Sequence, residues 1–159
     1  MSYKAIIITL SANVFLGVRE DTTGTLIEEM ITPEGFETET EHIMCDDPEK
    51  LTKTLIDICD NHKANLVLTA GGTGISQRDK APEATLAVIE RQVPGIAEAI
   101  RVASMAHTPR GMLYRGVSGI RGNTLIINLP GNSKAVKETF GAILPVLAHS
   151  VSILADSDK

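Results

Sequence analysis

Cysteine is scarce in this 159-residue sequence, where only Cys45 and Cys59 occur. They do not form a C-x-x-C pattern, so we predict neither a disulfide framework nor a structural zinc site, and a reducing cytosol fits best.

Cationic residues are outnumbered too, with 15 lysines and arginines against 20 aspartates and glutamates. The resulting net charge of -5 argues against nonspecific nucleic-acid binding, which needs clustered cations that neutralise phosphates.

Long apolar runs are also missing. The first segment, MSYKAIIITL, has one lysine and a short apolar stretch, without the length or the small-residue cleavage site of a signal peptide. No later stretch has the roughly 20 apolar residues that a membrane-spanning helix needs. The sequence therefore predicts a soluble, cytoplasmic protein with no membrane partner.

The apolar content, 43% of the residues, is sufficient for a folded core, and we predict one domain over residues 1–159. Continuous apolar runs at residues 5–10 and 65–70 are typical of strands covered on both faces. A more polar strand is predicted at TETEHIM (38–44), and a hairpin at residues 111–120 and 123–129. Residues 11–24 are expected to be a loop. Because strands alternate with helices, we predict an α/β layer fold with a largely parallel sheet, to which the hairpin adds one antiparallel strand.

Five helical regions are predicted, one of them over IAEAIRVASMA (96–106). The second opens with Asp47 as its N-cap and Pro48 at the first helical position, which are the residue types preferred there. We expect a buried stripe of Leu51, Leu55, Ile58 and His62 on this helix. The other predicted stripes are Leu26, Ile27, Met30 and Ile31; Leu86, Ile89 and Val93; and Val136, Phe140, Ile143 and Leu147, the last kinked at Pro145.

Ligands of open α/β sheets bind at the carboxyl ends of strands, and three loops meet that condition: SANVFLG (11–17), GGTG (71–74) and PGNS (130–133). Gly71, Gly72 and Gly74 permit positive φ and leave N–H groups uncovered, so a phosphate can approach closely. The spacing is neither G-x-G-x-x-G nor a Walker motif. On its pattern alone, the loop is more typical of a tight strand-to-helix turn.

The PGNS loop has two interpretations that the sequence does not separate. Its amides would form a second anion site at a helix N-terminus, where Lys134 adds positive charge. Alternatively, Pro130 and Gly131 simply turn the chain, and Asn132 or Ser133 caps the next helix. Three arginines that flank the predicted hairpin are further candidates for steering phosphate, although isolated arginines are usually solvated: Arg110, Arg115 and Arg121.

Two aspartates are the best candidates for chemistry. Asp46 ends the second strand and Asp79 follows the glycine loop, so we expect neighbouring parallel strands to bring both carboxylates to one edge of the sheet. Two carboxylates beside a polyphosphate suit Mg²⁺, which takes few protein oxygens together with phosphates and water. The alternative for Asp79 is a solvent-exposed pair with Arg78 or Lys80.

The segments LTAGGTGISQRDKAPEA (68–84) and RGVSGIRGNTLIINLPGNSKAV (115–136) resemble the MogA/MoaB family of molybdenum cofactor biosynthesis proteins. In that family the glycine loop usually reads T-T-G-G-T-G, followed by R-D-x-T-P-E/D-A and later by N-L-P-G-x-P-K. The likeness extends over essentially the full chain. It implies a three-layer α/β/α fold with a mostly parallel mixed sheet and one antiparallel strand, assembled as a homotrimer. The implied activity joins ATP and molybdopterin, with Mg²⁺, into adenylylated molybdopterin and pyrophosphate. A separate molybdenum insertase then acts downstream.

The resemblance also implies roles for individual residues. Asp46 and Asp79 match the acidic positions associated with metal and nucleotide handling, and are the implied catalytic and metal-binding residues. The nucleotide would be bound by Ser11, Asn13 and Lys134. Molybdopterin would be bound by Gly71, Gly72, Thr73, Gly74, Ser118, Pro130, Gly131 and Asn132.

Two departures from the family pattern keep a second hypothesis open. After the first strand, relatives often have S-D-R, whereas this chain has Ser11, Ala12 and Asn13. Tyr114 precedes Arg115 where many relatives have serine. The alternative function is therefore a non-catalytic molybdopterin-binding module, or a trimeric accessory protein of the same pathway.

Overall fold

The computed structural model describes residues 2–157, in which six strands form one sheet in the order β2-β1-β3-β6-β5-β4. The strands are β1 (Tyr3–Leu10), β2 (Phe36–Ile43), β3 (Leu66–Ala70), β4 (Arg91–Gln92), β5 (Ser118–Arg121) and β6 (Thr124–Leu129). The α-helices are α1 (Ala12–Phe15), α2 (Thr22–Ile31), α3 (Pro48–Asp60), α4 (Ala81–Leu86), α5 (Pro94–Met105), α6 (Ser133–Thr139) and α7 (Leu144–Asp156). Short 3₁₀ helices occupy Thr32–Glu34, Pro109–Leu113 and Phe140–Ala142.

The sheet is mixed, as predicted. Strands β2, β1, β3 and β6 pair in parallel, whereas β5 runs antiparallel to both of its neighbours, β6 and β4. Alternate residues of β1 enter two separate buried clusters, with Ile7 in one and Ile8 in the other. The first cluster includes residues of α2, α5, α6 and α7, and the second includes residues of α3 and α4. The predicted three-layer α/β/α fold is confirmed.

Helix α3 begins as predicted. The Asp47 carboxylate accepts a hydrogen bond from the Lys50 amide at 3.0 Å, and Pro48 occupies the first turn. Leu51, Leu55 and Ile58 form the buried stripe. His62 does not belong to it, because the helix ends at Asp60 and His62 is exposed with a φ of 51°.

Three sequence-based boundaries were wrong. The segment predicted as a loop at 11–24 holds α1 and the start of α2, because Ser11 and Asp21 act as N-caps for these helices. The predicted stripe of Leu86, Ile89 and Val93 is interrupted, because the amides of Glu90 and Val93 donate to β5 carbonyls and create β4. Residues 109–113 form a 3₁₀ helix, so β5 begins only at Ser118.

The expected adjacency of the second and third strands was also wrong, because β1 lies between β2 and β3. Strand β2 is at the edge of the sheet, which accounts for its polar, largely exposed residues. Its carboxyl end still points to the same edge of the sheet as those of β1 and β3, because all three strands are parallel. The loop that contains Asp46 therefore lies where it was predicted, at the carboxyl ends of the parallel strands.

The last helical region divides before Pro145, close to the predicted kink. Within residues 2–157, no single helix is long and apolar enough to cross a bilayer; only the bent pair Ser133–Ala142 and Leu144–Asp156, which meet at 64°, passes that test by length and composition. Several apolar side chains of this pair belong to the protein core: Val136, Phe140, Leu147 and Val151.

Candidate functional site

Three loops meet at the carboxyl ends of β1, β3 and β6, which are neighbouring parallel strands in the sheet. The Gly71 amide donates to the Leu129 carbonyl at 3.1 Å, which joins the glycine loop to the end of β6. Gly71 has a φ of 109°, and a Cβ atom there would lie 2.5 Å from the Leu10 carbonyl oxygen. Backbone conformation and space both require glycine at this position.

A second glycine contact holds the loops together. A Cβ atom on Gly131 would lie 2.9 Å from the Gly71 Cα atom, so the two loops touch through residues that have no side chain. Gly72 has a positive φ of 69°, but Gly74 does not, which corrects the expectation for that residue. Gly74 is instead pressed against Asp79, whose Oδ2 atom would lie 2.9 Å from an added Cβ.

Two cavities flank this junction and share part of their walls. The first, of about 400 Å³, has a wall from the β1 loop that includes Ser11 and Asn13. The second, of about 320 Å³, is lined by residues of the 3₁₀ helix Pro109–Leu113 and by Tyr114, which follows that helix. Both cavities are lined by Gly71, Gly72, Asp79 and Gly131.

Most of the predicted pterin-binding residues converge on the second cavity. Besides the shared glycines, it is lined by Thr73, Gly74, Pro130 and Asn132. Asn132 also caps α6, because its Oδ1 atom accepts from the Ala135 amide at 2.8 Å. The cap interpretation that the sequence left open is therefore observed, and it leaves Asn132 at the cavity wall.

Asp79 is held in a tight turn. Its Oδ2 atom accepts from the Ser76 amide at 3.0 Å, and its own amide donates to the Ser76 carbonyl at 3.0 Å. Asp79 lines both cavities. The solvent-exposed pairs with Arg78 or Lys80 that the sequence left open are not among the ion pairs of the described residues.

Asp46 lies in the turn after β2, outside the set of residues that line the first cavity. The preceding residue, Cys45, does line that cavity, where the Arg78 Nη2 atom lies 3.4 Å from its sulfur. Asp46 is thus beside the cavity rather than in its wall. No cluster of three or more histidine, cysteine or acidic side chains suited to a metal is found within residues 2–157. A magnesium ion in the first cavity would have the Asp79 carboxylate of the wall together with substrate oxygens and water, and Mg²⁺ is commonly held by one or two carboxylates in this way.

Two predicted residues are not brought to this junction. Ser118 is buried, and its hydroxyl donates to the Val93 carbonyl at 2.6 Å and accepts from the Ala97 amide at 3.1 Å. These bonds connect β5 to the start of α5. Lys134 is exposed on α6 and lines neither cavity.

The three candidate arginines have different environments. Arg110 lines the second cavity. Arg121 forms a bidentate pair with Asp60, donates to a carbonyl of the α4–β4 connection and lines neither cavity. Arg115 faces the glycine loop and Glu83, so the expectation that it steers phosphate does not match its contacts. Only Arg110 of these three has a position suited to an anion in a cavity.

Three cavity-lining residues that carry chemistry were not predicted as site residues from the sequence: Arg19 and Arg78 in the first cavity, and Tyr114 in the second. Arg78 had a sequence signal in its place in the R-D motif, and Tyr114 had one in its departure from the serine of many relatives, whereas Arg19 had none. Tyr114 is buried; its hydroxyl donates to the Asn128 carbonyl, and the Arg101 guanidinium lies 5.3 Å from its ring centroid. Burial raises the pKa of the Tyr114 phenol, so it stays protonated at neutral pH.

A larger cavity, of about 620 Å³, lies elsewhere, between α2, β2 and α6. Four acidic residues line it, Glu20, Asp21, Glu28 and Glu29, against one lysine and one histidine. Acidic walls repel polyphosphates at close range. We therefore take the two smaller cavities that meet at the glycines as the candidate functional site.

The fold and the adjoining cavities define an α/β domain with a candidate ligand site at the carboxyl edge of its sheet. A family model described as "Probable molybdopterin binding domain" matches residues 6–149. Molybdopterin adenylyltransferase of Helicobacter pylori J99 is 36% identical over 153 residues, covering 93% of this chain and 85% of that protein. The Escherichia coli K12 enzyme of the same name is 38% identical over 140 residues, covering 86% and 71%.

The crystal structure of the molybdopterin biosynthesis enzyme MoaB from Thermus thermophilus is also similar, with a TM-score of 0.88, 41% identity and 96% of each chain covered. The chain belongs to the MogA/MoaB family of molybdenum cofactor biosynthesis proteins. This confirms the family predicted from the two motifs. The adenylyltransferase names of the matched relatives also confirm the prediction of an enzyme of that type.

Proposed function

We propose that this chain transfers the adenylyl group of ATP to molybdopterin and releases pyrophosphate. The observation that carries the proposal is the pair of cavities sharing Gly71, Gly72, Gly131 and Asp79. A transfer between two substrates needs both reacting groups in contact, and two cavities with a common wall of glycine backbone allow that approach. We place ATP in the first cavity and molybdopterin in the second.

The charges of the lining residues support this placement. Arg19 and Arg78 line the first cavity, where a triphosphate needs cationic partners. Arg110 lines the second, where the phosphate of molybdopterin needs one. Backbone amides at the positive-φ glycines Gly71 and Gly72 supply donors that need no charge.

The proposed reaction needs no activated side chain, because the terminal phosphate of molybdopterin is already anionic at neutral pH. An oxygen of this phosphate forms a bond to the α-phosphorus of ATP, and the bond from that phosphorus to the bridging oxygen of the β-phosphate breaks. The electron pair leaves with pyrophosphate. The residues of the chain contribute alignment and electrostatic stabilisation, which are the main sources of acceleration in such transfers.

Asp46 and Asp79 are the residues that would hold a magnesium ion. When bound, Mg²⁺ neutralises phosphate charge and orients the phosphates. Asp79 is fixed by a hydrogen bond from the Ser76 amide, whereas Asp46 is in the turn that follows the edge strand β2. The two carboxylates therefore differ in how strongly the fold constrains them.

Pyrophosphate release is the direct test of this proposal. We expect release when ATP, molybdopterin and Mg²⁺ are all present, and none above background when any one is omitted. Adenylylated molybdopterin should accumulate in a 1:1 ratio with pyrophosphate. Pyrophosphate release without molybdopterin would identify an ATPase-type reaction instead.

Thiol labelling tests the nucleotide cavity without requiring turnover. Cys45 lines the first cavity, whereas burial raises the pKa of Cys59 to about 11, so its reactive thiolate is scarce at pH 8. We expect one fast and one slow thiol in the native protein. ATP with Mg²⁺, at ten times its Kd, should slow the fast phase roughly tenfold.

A Cys45→Ser variant should lack the fast phase and retain the slow one. An unchanged labelling rate under conditions where calorimetry shows bound ATP would place the nucleotide outside the first cavity.

The second candidate function is a molybdopterin-binding module without transfer activity. Ala12 and Asn13 favour it, because they lack the acid and base that relatives often have beside this cavity. Calorimetry separates the two functions: the module binds molybdopterin in the second cavity but yields no ATP-dependent product.

We further propose a homotrimer that passes its product to a separate insertase in the cytoplasm. An interface between subunits is supported by exposed apolar side chains on two adjacent elements. They include Val102 on α5 and Met112 on the 3₁₀ helix Pro109–Leu113. The two free cysteines suit a reducing compartment that also supplies ATP. Light scattering coupled to size-exclusion chromatography should give a mass near three times 17.0 kDa.

A further inference from the structure

One arginine contacts the glycine loop at several points from outside it. The Arg115 amide donates to the Thr73 carbonyl at 2.8 Å. The Arg115 guanidinium donates to the Gly74 carbonyl at 2.6 Å and to the Asp79 carbonyl at 2.8 Å. These contacts join the two ends of an exposed loop whose middle residues, 75–78, all face solvent.

The guanidinium has a third partner that fixes its direction. Its Nη1 and Nη2 atoms donate to the two carboxylate oxygens of Glu83, at 2.9 and 3.1 Å. The pairing with Arg115 lowers the pKa of Glu83, so the acid stays ionised at neutral pH. A planar guanidinium can bind a carboxylate and two carbonyls together, whereas a lysine ammonium has no such fixed fork.

We propose that Arg115 is a positioning residue that closes loop 73–79 and thereby fixes the Asp79 carboxylate between the two cavities before substrates bind. Asp79 is held from inside the loop by the Ser76 amide, and Gly74 lies against its Oδ2 atom. The contact between Gly74 and Asp79 requires the two ends of the loop to stay together. The inference rests on the proposed transfer reaction, in which Asp79 acts at the shared wall.

Arg121 provides a matched control on the same β5–β6 region. It too forms a bidentate pair with a carboxylate, Asp60, and donates to a carbonyl, that of Val88. It lines neither candidate cavity. Arg115→Ala and Arg121→Ala each remove a bidentate carboxylate pair and side-chain bonds to carbonyls, two for Arg115 and one for Arg121. Only the first is expected to open the glycine loop.

We expect Arg115→Ala to lower kcat for pyrophosphate release by about 10²-fold, because small displacements of an aligning group have effects of that size. Arg121→Ala should keep kcat within about twofold of the unaltered protein, although it should change Tm by about as much as Arg115→Ala does. Arg115→Lys should recover part of the loss, because one carbonyl contact is retained. Equal losses of kcat in the two alanine variants would overturn the inference.

Amide hydrogen exchange tests the loop independently of turnover. The Ser76 and Asp79 amides should exchange at least roughly tenfold faster in Arg115→Ala and at an unchanged rate in Arg121→Ala. Unchanged exchange in Arg115→Ala would overturn the inference, as would faster exchange with undiminished kcat. If the unaltered protein released no pyrophosphate, the proposed function would fail, and the exchange rates would still decide whether Arg115 closes the loop.

Discussion

Asp79→Asn is expected to reduce kcat for pyrophosphate release by about 10²-fold or more, because it removes a fixed charge at the wall that the two cavities share. The amide oxygen of asparagine can still accept from the Ser76 amide, as the Asp79 carboxylate does at 3.0 Å. The turn therefore keeps its hydrogen bond while the carboxylate charge is lost. Steady-state kinetics with a Mg²⁺ titration should also show that more metal is needed for half-maximal rate.

Asp57→Asn is the matched control for this change. Asp57 is exposed on α3, where it pairs with Lys63 at 2.6 Å and lines neither candidate cavity. The Asp57→Asn variant loses the same charge as Asp79→Asn, so any general effect of net charge appears in both variants. Unchanged kcat in a folded Asp79→Asn protein would remove Asp79 from the proposed mechanism.

Gly71→Ala is expected to destabilise the fold by about 3 kcal/mol, the sum of backbone strain and overpacking. The backbone at this position has a φ of 109°, and the new methyl group would lie 2.5 Å from the Leu10 carbonyl oxygen. Relief requires movement of β1 or of the glycine loop, so activity should fall as well. Urea unfolding measures the change in the free energy of unfolding.

A substitution at Gly35 separates the effect of backbone strain from that of overpacking. Its φ is 95°, close to that of Gly71, but nothing lies within 4 Å of a Cβ atom there. Gly35→Ala should therefore cost about 1 kcal/mol, from backbone conformation alone. Equal losses of stability in the two variants would mean that the contact between β1 and the glycine loop does not constrain the site.

The fold was predictable where one local pattern determined the structure. Alternation of apolar strands and amphipathic helices indicated the layers, and Asp47 followed by Pro48 marked the start of α3. The short elements were not predictable, because their stability comes from distant partners. Strand β4 exists because Glu90 and Val93 donate to the carbonyls of Ile120 and Ser118 in β5, which come much later in the chain.

The site was predictable in its loops and less so in its side chains. Parallel strands bring their carboxyl ends to one edge, so the convergence of Ser11, Gly71 and Pro130 follows from the order of elements. The partner of each arginine does not follow from sequence, because Arg110 and Arg115 differ only in what the folded chain places opposite them. Ser118 lay near a predicted strand end, yet its hydroxyl is used between β5 and α5.

A crystal structure with a non-hydrolysable ATP analogue, Mg²⁺ and molybdopterin measures the arrangement on which the whole proposal depends. We expect the nucleotide phosphates beside Ser11 and Arg78, the pterin phosphate beside Arg110, and the glycine backbone of residues 71 and 72 between them. Electron density for either ligand in the acidic cavity beside Asp21, or for both ligands on one side of Gly71, would contradict it.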